Sequence, residues 1–352
     1  MRFSLVSPVA ALAVSLSGAA CAGLSGCPQN LAFQLTNVFQ FGDITFVYDK
    51  CATDSVRGGY RAGIANFNTA DGSAWSVINT YHGMTGGNDE FSKFDAVLQK
   101  RGKFDGSSST SSSLDGFCTA WKAASKSSKF RSAQSSVFTD KYFDKSQSIA
   151  DSLGLTLSVS RAQLYDAAIS HGTGSQKNGL AGMIQATNKN ITKDISGVSG
   201  SPLDIKGFQV DEVKWLQRFL SVRSAYTDAP GAKASVNSYN YIINNMLTAY
   251  TSSGKDRSVF QWDIKLNALS DAGTKVSVDC EHNFSDNSPI PIGGNNGGPV
   301  TRHDSTGDAE PMSCAEKTSG QWWDLGERVC STGTVAAGVS LAAVLLAVAL
   351  AV

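Results

Sequence analysis

Leu35-Thr36-Asn37-Val38-Phe39-Gln40-Phe41-Gly42 is the stretch from which the fold of this chain can be read. Leu31, Leu35, Val38 and Phe39 fall at i, i+4, i+7 and i+8, so they share one face of a helix over residues 28 to 41. Gly42 is a natural stop for that helix. Ile44 to Tyr48, β-branched and aromatic, reads as an extended segment. Arg57-Gly58-Gly59-Tyr60 reads as a turn. Two apolar segments follow, Ala62 to Phe67 and Trp75 to Tyr81.

Working outward, Gly106 to Ser113 is almost all Ser and Thr and reads as a loop with no reason to pack. Helical patterns resume at Phe117–Trp121, Val137–Phe143, Ala162–Ile169 and Val213–Leu220, with Gly197 to Pro202 separating the last two. Beyond Asn283 the composition changes: Pro289, Pro291 and the run Gly293 to Gly298 mark a linker, and Cys314 to Cys330 reads as a small stapled appendage or stalk. The expected core is mainly α, over residues 27–285, followed by linker and stalk at 286–334.

Both ends carry signals of another kind. Met1-Arg2, the uncharged run Leu5 to Ala19 and the close on Ala20-Cys21-Ala22 read as a secretory signal peptide over residues 1–22. Residues 335–352 hold no charge, and no basic residue follows them, so they read as a lipid (GPI) attachment signal, with a plain C-terminal membrane anchor as the alternative. The expectation is a secreted protein at the cell surface or cell wall, tied to the membrane by a lipid. Removing both segments leaves about 300 residues, enough for one large domain or two lobes.

Formal net charge is zero and no basic tract stands out, which argues against a nucleic-acid partner. Of seven cysteines, Cys21 leaves with the signal. Cys27, Cys51, Cys118, Cys280, Cys314 and Cys330 remain, an even number that implies disulfides in a secretory context, with pairing not readable from sequence. No Cys/His spacing suggests a metal, and no cofactor is expected. Asn190-Ile191-Thr192 and Asn283-Phe284-Ser285 are glycosylation sequons, which fit surface positions.

Three ordered blocks carry a resemblance. The first runs from Leu35 to Gly42, through Tyr48-Asp49-Lys50-Cys51, to Arg57-Gly58-Gly59-Tyr60-Arg61-Ala62-Gly63 and Phe67. The second is Leu164-Tyr165-Asp166-Ala167-Ala168-Ile169-Ser170-His171-Gly172, and the third is Trp215-Leu216 to Phe219-Leu220-Ser221-Val222-Arg223. Together they resemble glycoside hydrolase family 46, the chitosanases. The resemblance implies a mainly α, two-lobed, lysozyme-like domain with a small β element and a cleft between the lobes. It also implies a chitosan- or chitin-like polysaccharide as partner.

The chemistry such a family performs is inverting hydrolysis, in which one carboxyl protonates the leaving oxygen and a second activates water on the opposite face. The family's acid falls on Gln40 and its base on Val56. Its motif Arg falls on Gly58, the residue resembling a water-positioning Thr on Arg61, and the substrate-contacting Asp on Ser73. Arg57, Tyr60, Arg61, Ser73 and Trp75 are the candidate substrate-binding residues, and Trp75, Tyr60 and Tyr81 could stack on sugar rings or belong to the core. Tyr165, Asp166 and Arg223 resemble parts of a buried ion network linking the lobes. Asp43 and Asp54 are candidates for a relocated acid and base, or else ordinary turn aspartates; Asp89-Glu90 reads as a solvated loop pair, and His171 as structural or cleft-lining.

Three functions stand against one another. The chain is a wall-polysaccharide-binding protein on a hydrolase scaffold, catalytically impaired; or an active endo-glycosidase with relocated carboxylates; or an adhesion module working through its Cys314–Cys330 appendage.

Overall fold

The computed structural model describes residues 23–54, 58–102, 111–195, 202–228, 230–257 and 260, with strand segments at 266–269, 275–278, 301–303, 309–315 and 329–332. Residues 1–22 and 335–352, Cys280, the sequon at Asn283 and the glycine-rich run all lie outside the described residues, as do Val56 and Arg57. Among the described residues no helix is long and apolar enough to cross a membrane.

The first helix, α1, spans Gly26–Phe41. It stops at Gly42, which takes a left-handed φ of 75° and donates its N–H to the Val38 carbonyl at 2.9 Å. The helix is buried on all sides rather than on one face: Leu31, Phe33, Leu35, Val38 and Phe39 are buried, but so are Gln29, Asn30, Gln34, Thr36 and Asn37. A helix enclosed all round must satisfy its polar side chains internally, and Gln34 does so by donating to Asn30 Oδ1 at 2.8 Å.

After α1 the chain does not extend as its β-branched residues suggest. Asp43 accepts from both the N–H and the hydroxyl of Thr45 at 2.9 Å, and this local turn bends residues 42–45. Phe46 then turns inward against Phe33 and Phe138.

A three-stranded antiparallel sheet follows, of β1 (Cys51–Thr53), β2 (Tyr60–Ala62) and β3 (Phe67–Asn68), in the order β1-β2-β3. Its register sets Cys51 opposite Ala62, Ala52 opposite Arg61, Arg61 opposite Asn68 and Ala62 opposite Phe67. Ala62 and Phe67 are buried, and Phe67 packs toward Trp121 and Tyr142, so this side faces the core. Side chains alternate along a strand, so Ala52, Arg61 and Asn68 share the opposite face.

Helices α2 (Ser73–Thr85), α3 (Asp95–Gly102), α4 (Phe117–Ala124) and α5 (Ser128–Phe138) complete this lobe. Tyr81, Phe91, Phe117, Trp121 and Phe130 interlock there as edge-on and stacked rings. A disulfide from Cys51 to Cys118 ties β1 to α4, and Cys51 is half-buried. Gly63 just beyond β2 has φ +67°, and a Cβ there would lie 2.2 Å from Gln134 Oε1 and 2.8 Å from Trp121, so no other residue fits.

A π-helical turn, Thr139–Phe143, carries α5 into α6 (Asp144–Ser152). The helical lobe then adds α7 (Ser158–His171), α8 (Leu180–Lys189), the hairpin β4 (Leu203–Ile205) and β5 (Phe208–Val210), α9 (Glu212–Ser224), α10 (Pro230–Tyr241), a second π turn, Ile242–Leu247, and α11 (Thr248–Ser252). The hairpin had no counterpart in the sequence reading. It turns on Lys206 and Gly207, both at positive φ. Strands β6 (Leu266–Leu269) and β7 (Lys275–Val278) pair with each other and lie against α1. Strands β8 (Thr301–His303), β9 (Ala309–Ala315) and β10 (Val329–Thr332) form a separate sheet in which Cys314 stands opposite Cys330. Cys27 is also disulfide-bonded.

Candidate functional site

Gln40 lies one residue from the end of α1, where the helix meets both the sheet and α7. Its Oε1 accepts from Asn66 Nδ2 at 3.0 Å, and its Nε2 donates to Ser170 Oγ at 3.0 Å. Lys50 Nζ donates to the Gln40 carbonyl at 3.2 Å and lies 4.6 Å from the centre of the Phe41 ring. The side chain thus donates on one side and accepts on the other, which a neutral carboxamide does and a carboxylate cannot. An amide also has no proton acidic enough to give to a leaving alkoxide.

Behind Ser170 stands a buried charge network. Arg223 Nη2 donates to Ser170 Oγ at 3.2 Å and pairs with Asp166 Oδ2 at 2.7 Å; both charged side chains are 0% exposed. Arg223 also donates to His171 Nε2 and Ser235 Oγ, each at 3.2 Å. Asp166 accepts from Thr36 Oγ1 at 3.0 Å and from the Ser235 hydroxyl. Each charge is therefore met by several directed partners, as burial of an ion pair requires. The network joins α1, α7, α9 and α10 within the helical lobe, so it is not itself a bridge between lobes. Contact with the other lobe comes one step later, through Ser170, Gln40 and Asn66. Burial, and then the negative charge of Asp166, push the phenols of Tyr165 and Tyr239 well above their ordinary range, so both stay neutral. His171 accepts from Arg223 and helps hold the guanidinium in place.

The sheet lobe presents a second group of polar side chains. Asp54 Oδ2 accepts from Asn68 Nδ2 at 2.8 Å, and Asn68 N–H donates to Ser73 Oγ at 2.7 Å. The Ser73 hydroxyl and N–H both reach Asp71 Oδ1, at 2.5 and 2.9 Å. Asn66, which holds Gln40, and Asn68, which holds Asp54, are two residues apart, so their Cα atoms are separated by at most about 7 Å. The amide at the acid position and the Asp54 carboxylate thus flank the same short stretch of chain. Asp43 is exposed and occupied with Thr45, as a turn aspartate.

Of the remaining candidates, Gly58 has φ +78° with open space around it, and Arg61 is exposed on the outer face of β2. Tyr60 is half-buried, stacked on Phe117 with ring centroids 5.6 Å apart. Trp75 is half-buried with its ring edge-on to His82, and Tyr81 lies in the core between Phe91 and Phe130. Asn190 is exposed at the end of α8. Among the described residues no group of His, Cys, Asp and Glu side chains is arranged to hold a metal ion.

Asp89 is not the solvated loop residue that its sequence context suggests. Its side chain is 4% exposed, its Oδ2 lies 2.7 Å from His82 Nδ1 and accepts from the Thr85 hydroxyl at 2.8 Å, and Asp95 Oδ1 meets His82 Nε2 at 2.9 Å. Burial lowers the His82 pKa, but the hydrogen bonds to Asp95 and Asp89 outweigh it, and the net shift is upward. Asn66, Asn68, Asp71 and Ser170 were missed altogether. Asp71-Gly72-Ser73 carries a local turn signal that could have found Asp71, whereas the other three act on residues far away in sequence.

Three kinds of comparison agree. The model of glycosyl hydrolase family 46 matches residues 39–241. A chitosanase from Bacillus subtilis (strain 168) is 33% identical over 202 residues, covering 57% of this chain and 68% of that protein. The native chitosanase of Bacillus subtilis MY002 superposes over 73% of this chain and 100% of its own, with TM-score 0.57 and 25% identity; a mutant of that enzyme complexed with 6 GlcN matches equally well. A family 46 chitosanase of Gynuella sunshinyii, in complex with chitotetraose, matches in fold over 72% of this chain with TM-score 0.59 and 23% identity. The two-lobed helical architecture is accordingly the lysozyme-like one of these enzymes, and the chain belongs to glycosyl hydrolase family 46.

Proposed function

We propose that this protein binds an amino-polysaccharide of the cell wall at the junction of its two lobes and has lost the hydrolytic activity of its family. The observation that carries this reading is the Gln40 carboxamide, held between Asn66 and Ser170 where an inverting glycosidase needs a carboxylic acid. Val56 at the base position, which lies outside the described residues, supplies no proton acceptor. The sugar-binding relatives support a glycan as ligand. The signal-like N-terminus and uncharged C-terminal tail support secretion followed by lipid anchorage, which a phosphatidylinositol-specific phospholipase should reverse on intact cells.

The experiment is binding and cleavage measured side by side on purified protein with chitosan and chitin oligomers. Binding with negligible cleavage is expected. Sustained cleavage by the wild-type chain overturns the impaired reading.

Asp54 favours a second reading, in which the protein hydrolyses its glycan with a relocated carboxylate. Its carboxylate accepts from Asn68, two residues along the chain from the Asn66 that holds Gln40. Under that reading, Asp54→Asn abolishes whatever cleavage the wild-type protein shows, and Asp43→Asn has little effect.

A further inference from the structure

Resting on the secretion reading, the end of α8 bears on how the chain is modified. The sequon Asn190-Ile191-Thr192 leaves the last turn of that helix. Asn190 and Thr192 are exposed, whereas Ile191 between them is buried and anchors the segment to the core. The Ile191 N–H donates to the Asn188 carbonyl at 3.1 Å, and Arg218 Nη1 donates to the Asn190 carbonyl at 3.4 Å. The backbone is thus held, while the side chains of Asn190 and Thr192 enter no hydrogen bond among the described residues. Asn188, two residues earlier, is the opposite case: it is buried, and its Oδ1 accepts from Trp215 Nε1 at 2.8 Å. A sugar on Asn188 would break that bond and find no room; one on Asn190 displaces nothing.

N-linked transfer needs an Asn amide and a Thr or Ser hydroxyl two residues on. The amide nitrogen takes C1 of an oligosaccharide from a lipid pyrophosphate donor, so an N–C bond forms, the C–O bond to the pyrophosphate breaks and the amide gives up one proton. The secretory pathway supplies both donor and transferase. Once attached, the sugar must be carried outside the folded surface.

The direction of α8 sets where it would stand. Helices α7 and α9 run the same way: Glu212 at the start of α9 accepts from the N–H groups of Thr156 and Leu157 just before α7, and Arg223 near the end of α9 reaches Ser170 and His171 at the end of α7. Gln40 lies at that second end. Helix α8 starts there too, since the Leu180 N–H donates to the Gly172 carbonyl at 3.0 Å, and it runs back until Asn188 meets Trp215 and Asn190 meets Arg218. From Trp215 to Arg223 is about 12 Å along α9 at the rise of an α-helix.

We propose that Asn190 carries an N-linked oligosaccharide, set at the end of the helical lobe remote from the Gln40 site.

The test is to produce the full chain in a eukaryotic secretory host and to release its glycans with peptide-N-glycosidase in heavy-oxygen water, which leaves a labelled aspartate wherever a sugar stood. Peptide mass spectrometry should find the label at Asn190. Thr192→Ala should remove it with Asn190 intact, and Thr192→Ser should keep it. Both variants lie on an exposed position, and circular dichroism confirms that they fold. Glycosylated wild type and bare Thr192→Ala should bind chitin or chitosan oligomers alike; a change in affinity overturns the remote placement. A secreted protein with Asn190 unlabelled, or a label that survives Thr192→Ala, overturns the proposal and leaves the secretion reading standing. A chain that stays in the cytosol with residues 1–22 intact and no label overturns both.

Discussion

The Asp166–Arg223 pair and the Gln40–Asp54 surface lie within one hydrogen-bonded chain of each other, yet they are built on opposite terms. In the helical lobe, Arg223 makes four directed contacts and Asp166 is met from three helices, all of it out of water. Removing either partner strands the other as an uncompensated buried charge. At the lobe junction Gln40, Asp54, Asn66 and Ser170 are half-exposed, and water can replace a lost partner there. A carboxylate there can become an amide, or a threonine position an arginine, at little cost to the fold. The scaffold and the chemistry are therefore separable in this molecule, and substitutions can remove the chemistry first.

The largest effect tests that separation directly. Gln40→Glu combined with Val56→Asp should raise chitosan hydrolysis by about 10²–10⁴-fold over wild type, the range that a positioned acid or base contributes, as measured by release of reducing ends. No gain would mean that Arg61, Gly58 and Ser73 also block the reaction, and that the surface has drifted beyond its two carboxyl positions. In the interior, Asp166→Ala or Arg223→Ala should destabilise the fold by about 3–5 kcal/mol in denaturant titration; a loss below about 1 kcal/mol would mean that the buried pair is no more costly to lose than a group at the lobe junction.

A smaller or comparable effect is expected from the disulfide that pins the sheet to α4. Cys51→Ser with Cys118→Ser opens a link spanning 67 residues and should cost about 2–5 kcal/mol. Non-reducing peptide mapping should also join Cys314 to Cys330, which are paired positions in the register of β9 and β10, leaving Cys280 for the bonded Cys27.

The smallest effect is pH-dependent. Because the His82 pKa is raised in the fold, its two carboxylate contacts contribute stability that is fully present below the ordinary histidine value of about 6.5 and is lost as pH rises through the higher folded value. The melting temperature of the wild-type protein should therefore fall relative to that of His82→Gln as pH increases through this range. Parallel curves for the two proteins would show that the His82 pKa is the same folded and unfolded, so that its carboxylate contacts add no pH-dependent stability.

Much of the helical lobe was legible in the sequence. The spacing of Leu31, Leu35, Val38 and Phe39 located α1 to within two residues of its start, and the patterns at 162–169 and 213–220 fall inside α7 and α9. Burial of α1 on all sides was not legible, because its polar residues find partners on its own turns and on α7, and a one-dimensional pattern records only hydrophobicity. The strands β1 to β3, two or three residues each, are too short to show alternation. At the site, Gln40 was found through its place in a motif, whereas Asn66 and Ser170 were invisible, since each hydrogen-bonds a residue 26 or 130 positions away. Asp89 misled for the converse reason: its partner is close in sequence, but its burial depends on how the whole 86–95 segment folds back over α2.

The placement of α1 at the centre of the molecule has a consequence in time. Among the described elements it leaves the ribosome first, and Asp166, the earliest member of the ion network to follow it, lies 130 positions after Thr36. At about 5–20 residues per second, that interval is on the order of ten seconds. During it, Leu31, Phe33, Leu35, Val38 and Phe39 have none of their α7 or α10 partners. This apolar segment is where a chaperone should bind the nascent chain, and where a stalled or truncated chain should begin to aggregate.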